Sequence, residues 1–318
     1  MEAIDYDAHP IFDPIEFRIN TPPVENLKNK LTRLAWTGAC GAALLGYSRA
    51  GKSYGIQLVE NEIESRAGKR IPVVRYSTHK RDSPGIRSLY ENMLTRFCVY
   101  YKPHWKTEKL SDSLLTYLAE KARAADVKQL ILAVDETQRL TISQIDLFSE
   151  LLDVLEQEFK IALICLFIGN REQMGRLLKV IEEGENEHIY GRFFNQKFRF
   201  YGLKSDQEVE FCLNQYDTLR YPENGPTYTE FFMKDEYEKG FRMASLAESL
   251  WDGFIKCKKA MNKPINDWSM DSFVRTVNPL LTDYLSKFGS EAYSQDMLME
   301  CIKLSGLYPK LDEIKEDI

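Results

Sequence analysis

Short apolar runs alternate with amphipathic segments through the N-terminal part of the chain. The apolar runs lie at 40–45, 71–76, 129–134, 161–168 and 197–203. Continuous runs of this length are typical of buried parallel strands, and the segments between them carry apolar residues at the spacing of helices. This succession predicts an α/β fold, in which helices flank a parallel central sheet.

The pattern changes near residue 204, after which only helical periodicity continues. Helices are predicted near 205–219, 228–238, 242–260, 269–286 and 290–304. We therefore expect an αβα nucleotide-binding core at 24–203, a helical lid at 204–262 and a C-terminal helical extension at 263–318. Residues 1–23 contain four prolines and little periodicity, which predicts an extended arm.

Composition adds limits to this picture. Hydrophobic residues make up 44% and charged residues 28% of the 318 positions, as in ordinary globular proteins. The six cysteines occur singly, without the spacing of a zinc site, which suggests reduced thiols. No signal peptide or membrane-length apolar stretch is recognisable, so we expect a cytoplasmic protein. The net charge of −6 argues against coating nucleic acid by bulk charge but allows a local basic stripe.

The clearest chemical motif follows the first apolar run. Residues 46–53, Gly-Tyr-Ser-Arg-Ala-Gly-Lys-Ser, fit the P-loop pattern G-x-x-x-x-G-K-[ST]. Glycines let successive backbone N–H groups point at a triphosphate, and the helix that follows offers its positive end. We expect ATP to contact Gly46, Tyr47, Ser48, Arg49, Ala50, Gly51, Lys52, Ser53 and Tyr54. Lys52 would reach the β- and γ-phosphates, and Ser53 would bind Mg²⁺.

Two later strands end in polar residues that suit the same chemistry. Asp135 and Glu136 close the run at 129–134, at the sheet edge where open α/β folds bind ligands. Asp135 would hold Mg²⁺ through water, and Glu136 would polarise the attacking water. Asn170 follows the longest run and would orient that water or contact the γ-phosphate, although Gly-Asn is also a common turn pair.

This ordered set of motifs, with an arginine before the last strand and a helical lid, resembles the AAA+ ATPase superfamily. The resemblance implies that Asn170 is the first sensor and that Arg192 is an arginine finger for a neighbouring subunit's γ-phosphate. It also implies that Arg242, which follows Gly240 at a helix start, is the second sensor. A surface ion pair is the alternative for Arg192, and Arg171, Arg176 and Arg199 lie near it in the sequence.

Within that superfamily the chain resembles the TnsC/TniB regulators of cut-and-paste and CRISPR-associated transposons. The resemblance rests on the compact size, the Asp-Glu-Thr-Gln at 135–138, the single P-loop and the Arg-Phe at 192–193. It implies a slow, regulatory ATPase that uses ATP and Mg²⁺. It further implies a homo-oligomeric ring or filament on double-stranded DNA that bridges a target-selection protein to transposase subunits.

DNA contact requires a basic patch on this acidic chain. The candidates are Arg75, His79, Lys80, Arg81 and Arg87, because basic and small polar residues alternate in this segment. A solvated loop is the alternative interpretation. Two other functions remain open: a motor ATPase such as a helicase or remodeller, and a nucleotide-gated signalling ATPase that binds no DNA.

Overall fold

The computed structural model describes residues 6–15, 17–79, 85–184 and 186–307. Backbone contacts divide the chain into two compact units. The α/β unit comprises residues 24–48 and 52–200. The helical unit comprises the residues up to 23, residues 49–51 and the residues from 201 onward.

A five-stranded parallel sheet forms the centre of the α/β unit. Its strands are β1 (Gly41–Gly46), β2 (Val73–Ser77), β3 (Gln129–Asp135), β4 (Ala162–Asn170) and β5 (Lys197–Arg199). They are arranged in the order β2-β3-β4-β1-β5, so β4 lies between the P-loop strand and the strand that ends in Asp135. The runs at 40–45, 129–134 and 161–168 form the buried strands β1, β3 and β4, whereas β2 and β5 lie at the sheet edges and are more exposed. The parallel sheet with its flanking helices confirms the predicted fold class.

Helices cover the sheet and supply the rest of its core. They are α1 (Pro22–Thr37), α2 (Lys52–Val59), α3 (Ile86–Arg96), α4 (Thr107–Ala124), α5 (Ile142–Val154), α6 (Arg171–Glu183) and α7 (Glu187–Phe193). Their apolar faces pack on the strands; Leu114 and Leu118 of α4 and Phe148 of α5 are fully buried. Thr141 caps α5 in a capping box with Gln144, which fixes where that helix begins.

Two elements of this unit are shorter than the sequence predicts. The apolar spacing of Ile56, Val59 and Ile63 predicts a helix over 53–66 after the P-loop, but the helix observed there ends at Val59. Residues 63–71 form a tight antiparallel turn instead, with backbone bonds from Ile71 to Ile63 and a positive φ at Gly68. Strand β5 stops at Arg199, and Leu203 forms an isolated antiparallel bridge with Trp268.

The helical unit is built around a second hydrophobic core. Its helices are α8 (Asp206–Thr218), α9 (Tyr228–Phe232), α10 (Lys234–Glu238), α11 (Ala247–Ala260), α12 (Met270–Pro279), α13 (Ser286–Phe288) and α14 (Gln295–Leu304). Trp268 is fully buried and stacks on Phe254 of α11, with ring centroids 4.9 Å apart. Within the parts of the chain that the structure covers, no helix is long and apolar enough to cross a membrane.

The N-terminal arm belongs to this second core. Ile11, Phe17 and Ile19 are buried among the side chains of the helical unit. The ring of Phe17 lies 5.6 Å from that of Tyr216, and Asn278 Nδ2 donates to the carbonyl oxygen of Ile11 at 3.3 Å. The arm therefore contributes apolar side chains to the core.

Three helices of this unit differ from their predicted extents. The segment at 228–238 breaks into α9 and α10 at Met233, whose backbone is not helical. The segment at 269–286 stays helical to Phe288, but after Pro279 it winds as a π-helix over Leu280–Leu285 before α13, because proline lacks the N–H that an α-helix needs. The last helix begins at Gln295 and not near 290, since Ser294 accepts a bond from Met297 N and caps it there.

Candidate nucleotide site

The register of the sheet brings three strand ends together. Gly46, the last residue of β1, pairs with Asn170, the last residue of β4. Strand β3 is the other neighbour of β4 and ends in Asp135. Because all three strands run parallel, the P-loop, Asn170 and the acidic pair lie along one edge of the sheet. This is the arrangement that the sequence analysis expected for these residues.

The P-loop backbone has the curvature that a phosphate cradle needs. Arg49 and Gly51 both have positive φ, at 59° and 96°. Positive φ costs little at glycine but is uncommon elsewhere, so Arg49 is held in a conformation that the loop imposes. At the start of the loop, a Cβ on Gly46 would lie 2.6 Å from the carbonyl oxygen of Phe200. The position therefore admits only glycine without a backbone shift.

Lys52 lies at the beginning of α2 and points back into the loop. Its Nζ donates to the carbonyl oxygens of Gly46 at 3.1 Å and Tyr47 at 2.7 Å, and the residue is buried. Burial lowers the pKa of Lys52, and the nearby Asp135 and Glu136 partly counter that effect. A bound phosphate would stabilise the charged ammonium of Lys52, as these two carboxylates do.

Ser53 and Asp135 join the P-loop to β3. Ser53 Oγ donates to Asp135 Oδ2 at 2.5 Å, and Asp135 Oδ1 accepts from the backbone N–H of Glu136 at 2.8 Å. No cluster of three or more His, Cys, Asp or Glu side chains suited to a metal occurs in the described residues. Mg²⁺ is commonly held by one or two protein oxygens together with phosphates and water. The hydroxyl and carboxylate here fit that donor set, and Ser53 and Asp135 would hold the ion.

Glu136 turns sharply out of the end of β3. Its backbone is left-handed, with φ 57°, which directs the side chain away from the strand axis. The carboxylate accepts from Arg139 at 2.8 Å and from Gln138 Nε2 at 3.1 Å. Arg139 also donates to the carbonyl oxygen of Thr78 at 3.0 Å, just beyond β2. Glu136 is thus oriented by two neighbours on its own turn.

Asn170 serves as the N-cap of α6. Its Oδ1 accepts from the backbone N–H groups of Glu172 and Gln173, at 3.0 and 3.4 Å. This cap fixes the carboxamide, so its NH₂ group is the donor left to meet a phosphate oxygen or a water. The turn interpretation and the sensor interpretation are therefore compatible, because the same side chain both caps a helix and presents a donor at the sheet edge.

Arg192 lies in the last turn of α7 and pairs with an acid of its own chain. Its Nη1 donates to both carboxylate oxygens of Asp153 on α5, at 3.0 and 2.9 Å. Both side chains are partly exposed, at 39% and 44%. A surface pair of this kind contributes little to stability, so a stronger partner can displace Asp153.

Arg242 lies in the helical unit, and its contacts there are local. Its Nη1 donates to the carbonyl oxygens of Tyr237 at 2.9 Å and Phe241 at 2.6 Å, and the guanidinium stacks 3.5 Å above the ring of Tyr237. The helix that it was expected to open begins as a 3-10 turn at Met243. Asp217 fixes this turn by accepting from the backbone N–H groups of Met243 and Ala244.

The predicted DNA-contacting residues have mixed surroundings. Arg75 pairs with Glu60 at 2.6 Å, so its charge is already compensated. Arg87 donates to the carbonyl oxygens of Trp105 and Pro103 and pairs with Glu91. His79 is exposed at the end of the described segment, whereas Lys80 and Arg81 lie outside the described residues.

Several residues beside the P-loop escaped sequence reasoning. Arg171 Nη1 donates to the hydroxyl of Tyr47 at 3.0 Å, and its guanidinium lies 5.5 Å from that ring. Gly169 leaves room for Gln138, because a Cβ there would lie 2.3 Å from Gln138 Oε1. An arginine directly after Asn170 was visible in the sequence, but its partner on the P-loop depends on the strand register.

The sheet order and the loop define a P-loop nucleotide-binding fold of the AAA+ type. Residues 38–177, within the α/β unit, match a family model described as an AAA domain. The fold and the matched residues support an AAA+ ATPase.

Solved structures with a similar chain include two ORC proteins of Aeropyrum pernix and a Walker-type ATPase of Pyrococcus abyssi. The Aeropyrum pernix ORC2 protein has a TM-score of 0.45 and 16% identity, with 90% of this chain and 74% of that chain covered. The Aeropyrum pernix ORC1 protein in complex with DNA has a TM-score of 0.41 and 14% identity, with 92% and 79% covered. A Walker-type ATPase of Pyrococcus abyssi has a TM-score of 0.41 and 16% identity, with 94% and 93% covered. No curated protein matches the chain significantly.

Proposed function

We propose that this protein is an ATP-dependent, DNA-binding AAA+ regulator of DNA transposition. In this role it hydrolyses ATP slowly, assembles as a homo-oligomer on target DNA and bridges a target-selection protein to transposase subunits. The observation that supports the nucleotide chemistry best is the Ser53–Asp135 bond of 2.5 Å beside the P-loop, with Glu136 next in the chain. The resemblance to the TnsC/TniB regulators supports the DNA and transposase partners.

Each residue of the site has a separate task in the proposed reaction. Mg²⁺, held by Ser53 and Asp135, would neutralise charge on the β- and γ-phosphates. Lys52 would bind the same phosphates, and Glu136 would accept a proton from the attacking water. For that step Glu136 exchanges its bond to Arg139 for one to the water. Asn170 would hold the water or the γ-phosphate through its NH₂ group.

Arg192 makes the proposed site dependent on assembly. As the finger, it would leave Asp153 and donate to the γ-phosphate bound by a neighbouring subunit, where it stabilises charge that develops in the transition state. Two chains then hold one nucleotide, so ATP favours the oligomer, and hydrolysis weakens it. Arg242 would report the nucleotide to the helical unit as the second sensor.

The test compares three single substitutions by mass photometry and electron microscopy with ATP, Mg²⁺ and duplex DNA. We expect Lys52→Ala to weaken ATP binding about 100-fold, because two charge-assisted contacts are lost. Arg192→Ala should bind ATP normally but lose most assembly and at least about tenfold in hydrolysis. Arg176→Ala, an exposed arginine on α6, is the matched control and should behave as wild type.

A second candidate is a nucleotide-gated ATPase that binds no DNA. The net charge of −6 and the internal pairing of Arg75 and Arg87 favour it. DNA-stimulated ATP hydrolysis separates the two candidates, since stimulation is expected only for the DNA-binding regulator.

The finger assignment has its own contradicting outcome. An Arg192→Ala variant that assembles and hydrolyses ATP like Arg176→Ala would show that the finger lies elsewhere.

A further inference from the structure

A large cavity lies beside the proposed magnesium site in the α/β unit. Its volume is about 860 Å³, and it follows the edge strand β2. Ser53 and Asp135 line it, and so do His79, Arg96 and Lys121. The volume is within the range of about 300–1,000 Å³ that is typical of small-molecule sites. The cavity is therefore large enough for a nucleotide-sized ligand next to the P-loop.

Three of the described residues that line this cavity carry a positive charge, namely Arg75, Arg96 and Lys121. Arg75 is compensated by Glu60, which also lines the cavity. Within residues 6–15, 17–79, 85–184 and 186–307, no carboxylate lies within 4.0 Å of the charged groups of Arg96 and Lys121. Among the described residues of the lining, the other acid is Asp135, to which Ser53 donates. Within the described parts of the chain, Arg96 and Lys121 thus line the cavity without an acidic partner.

His79 orients one of these cations. Its Nδ1 lies 2.9 Å from the carbonyl oxygen of Ser77, and its Nε2 lies 3.1 Å from Arg96 Nη2. A carbonyl only accepts and a guanidinium only donates, so Nδ1 carries the proton and Nε2 accepts from Arg96. In this arrangement the imidazole holds Arg96 near the end of β2, while the other N–H groups of the guanidinium remain for a ligand.

Lys121 completes the pair from α4. Its Nζ lies 5.2 Å from the centroid of the Tyr117 ring, another residue of the lining. A planar guanidinium and a compact ammonium are the two groups that proteins use most to bind phosphate oxygens. The apolar side chains of Ile56, Val74 and Phe97 also line the cavity, and they suit the sugar or base of a nucleotide.

We propose that this cavity, which Ser53 of the P-loop also lines, holds a second phosphate-binding site at Arg96 and Lys121. Arg96 and Lys121 bind the phosphate of a nucleotide-sized ligand, and His79 is the positioning residue for Arg96. The phosphate belongs either to a DNA strand or to a free nucleotide, because the same two cations recognise both. Bound there, the ligand lies on the wall that also carries Ser53 and Asp135.

The experiment uses the full chain with its P-loop saturated by a non-hydrolysable ATP analogue and Mg²⁺. Two probes are titrated in parallel: a short fluorescent duplex DNA, read by anisotropy, and radiolabelled AMP, read by equilibrium dialysis. We expect the double variant Arg96→Gln/Lys121→Gln to bind at least one probe at least about tenfold more weakly. For DNA, its salt dependence should also fall by about two phosphate contacts. The matched control is Lys102→Gln/Lys128→Gln, which removes the same charge from exposed positions outside the cavity.

The outcomes separate the two sources of phosphate. Loss of DNA binding alone identifies a DNA strand, and loss of AMP binding alone identifies a free nucleotide. Unchanged binding of both probes, or an equal loss in the control, overturns the proposal. A wild-type chain that assembles with ATP yet binds neither probe contradicts the second site alone and leaves the proposed ATPase intact.

The role of His79 has its own measurement. His79→Ala should weaken binding in the wild-type background but cause no further loss when Arg96 is already glutamine, because it acts only through Arg96. An equal loss in both backgrounds would show that His79 does not act by positioning that guanidinium.

Discussion

The two units of this protein are organised by different kinds of contact. In the α/β unit, the residues of the candidate site are the last residues of neighbouring parallel strands, as with Gly46 beside Asn170. In the helical unit, the core joins an irregular N-terminal arm to helices near the other end of the chain, as in the bond between Asn278 and Ile11, 267 positions apart. In a regular sheet, the strand order and direction fix where the strand ends lie. The position of an irregular arm depends instead on the contacts of its own side chains.

The largest expected effect tests whether the arm is part of the second core. Phe17→Ala removes a buried ring that contacts Tyr216 and Tyr228, and it should destabilise the helical unit by about 3–5 kcal/mol. Hydrogen exchange followed by mass spectrometry should show faster exchange in α8 and unchanged exchange in β1, β3 and β4. Ile15→Ala, at a side chain that is 77% exposed, is the control and should change neither unit.

A smaller effect tests how tightly the sheet edge constrains the P-loop. In Gly46→Ala the new methyl group would lie 2.6 Å from the Phe200 carbonyl oxygen and 3.1 Å from Lys52 Cδ. We expect about 1–3 kcal/mol of destabilisation and loss of nucleotide affinity, because the strand end and the lysine must both move. Thermal unfolding and a fluorescent ATP analogue would measure the two effects.

The control for this change is a glycine on a neighbouring element. At Gly175, in α6, a Cβ would meet nothing within 4 Å. Gly175→Ala should therefore keep nucleotide binding and gain about 0.5–1 kcal/mol from helix propensity. Equal behaviour of the two variants would contradict the close packing inferred at the start of the loop.

The last expected effect is a pH dependence of the stability of the helical unit. His9 is buried among the rings of Phe12, Tyr221, Tyr228, Phe231 and Phe232. Its Nδ1 accepts from the Ile11 N–H, and its Nε2 has no hydrogen-bond partner among the described residues. Burial lowers the pKa of the imidazole to about 4. Because the folded-state pKa lies below the ordinary value of 6.5, the contribution to stability is complete above pH 6.5 and is lost as the pH falls towards 4.

Chemical unfolding at a series of pH values would measure this linkage. Between pH 6.5 and 4 the slope attributable to His9 should approach one proton per molecule, and His9→Gln, which does not titrate, should remove it. The α/β unit should show no change between the two proteins. A slope that persists in His9→Gln would assign the pH dependence to another group.

The α/β fold could be predicted because its signals are local. The buried strands β1, β3 and β4 are continuous apolar runs. β1 leads into the P-loop, and β3 and β4 end in the polar residues Asp135 and Asn170. The boundaries predicted for β1 to β4 are close to those observed, whereas β5 ends four residues before the end of its apolar run and the helix after the P-loop is shorter than predicted. The apolar spacing of that helix continues to Ile63, but Ile63 is buried within a turn instead. In this turn the residues before Gly68 pair antiparallel with those after it, as Glu64 does with Arg70.

The pairings within the site could not be predicted in the same way. Nothing in the sequence near Arg192 indicates Asp153, and nothing near Arg96 indicates His79 or Lys121. These partners come from different helices and strand ends, so their meeting depends on how the elements pack. The break at Met233 and the π-helical stretch after Pro279 are similar cases, because apolar periodicity continues through both.

The sequence by itself determined the class of fold and the chemistry of its main loop. Glycines at 46 and 51, the Lys-Ser pair at 52–53 and the acids at 135–136 specify a phosphate cradle through residue type and local order alone. Only the tertiary structure decided which charges are compensated by residues distant in sequence: Arg75 by Glu60 and Arg192 by Asp153, while Arg96 and Lys121 line a cavity. The physical reason is that backbone conformation follows from neighbours in sequence, whereas the compensation of a charge depends on neighbours in space.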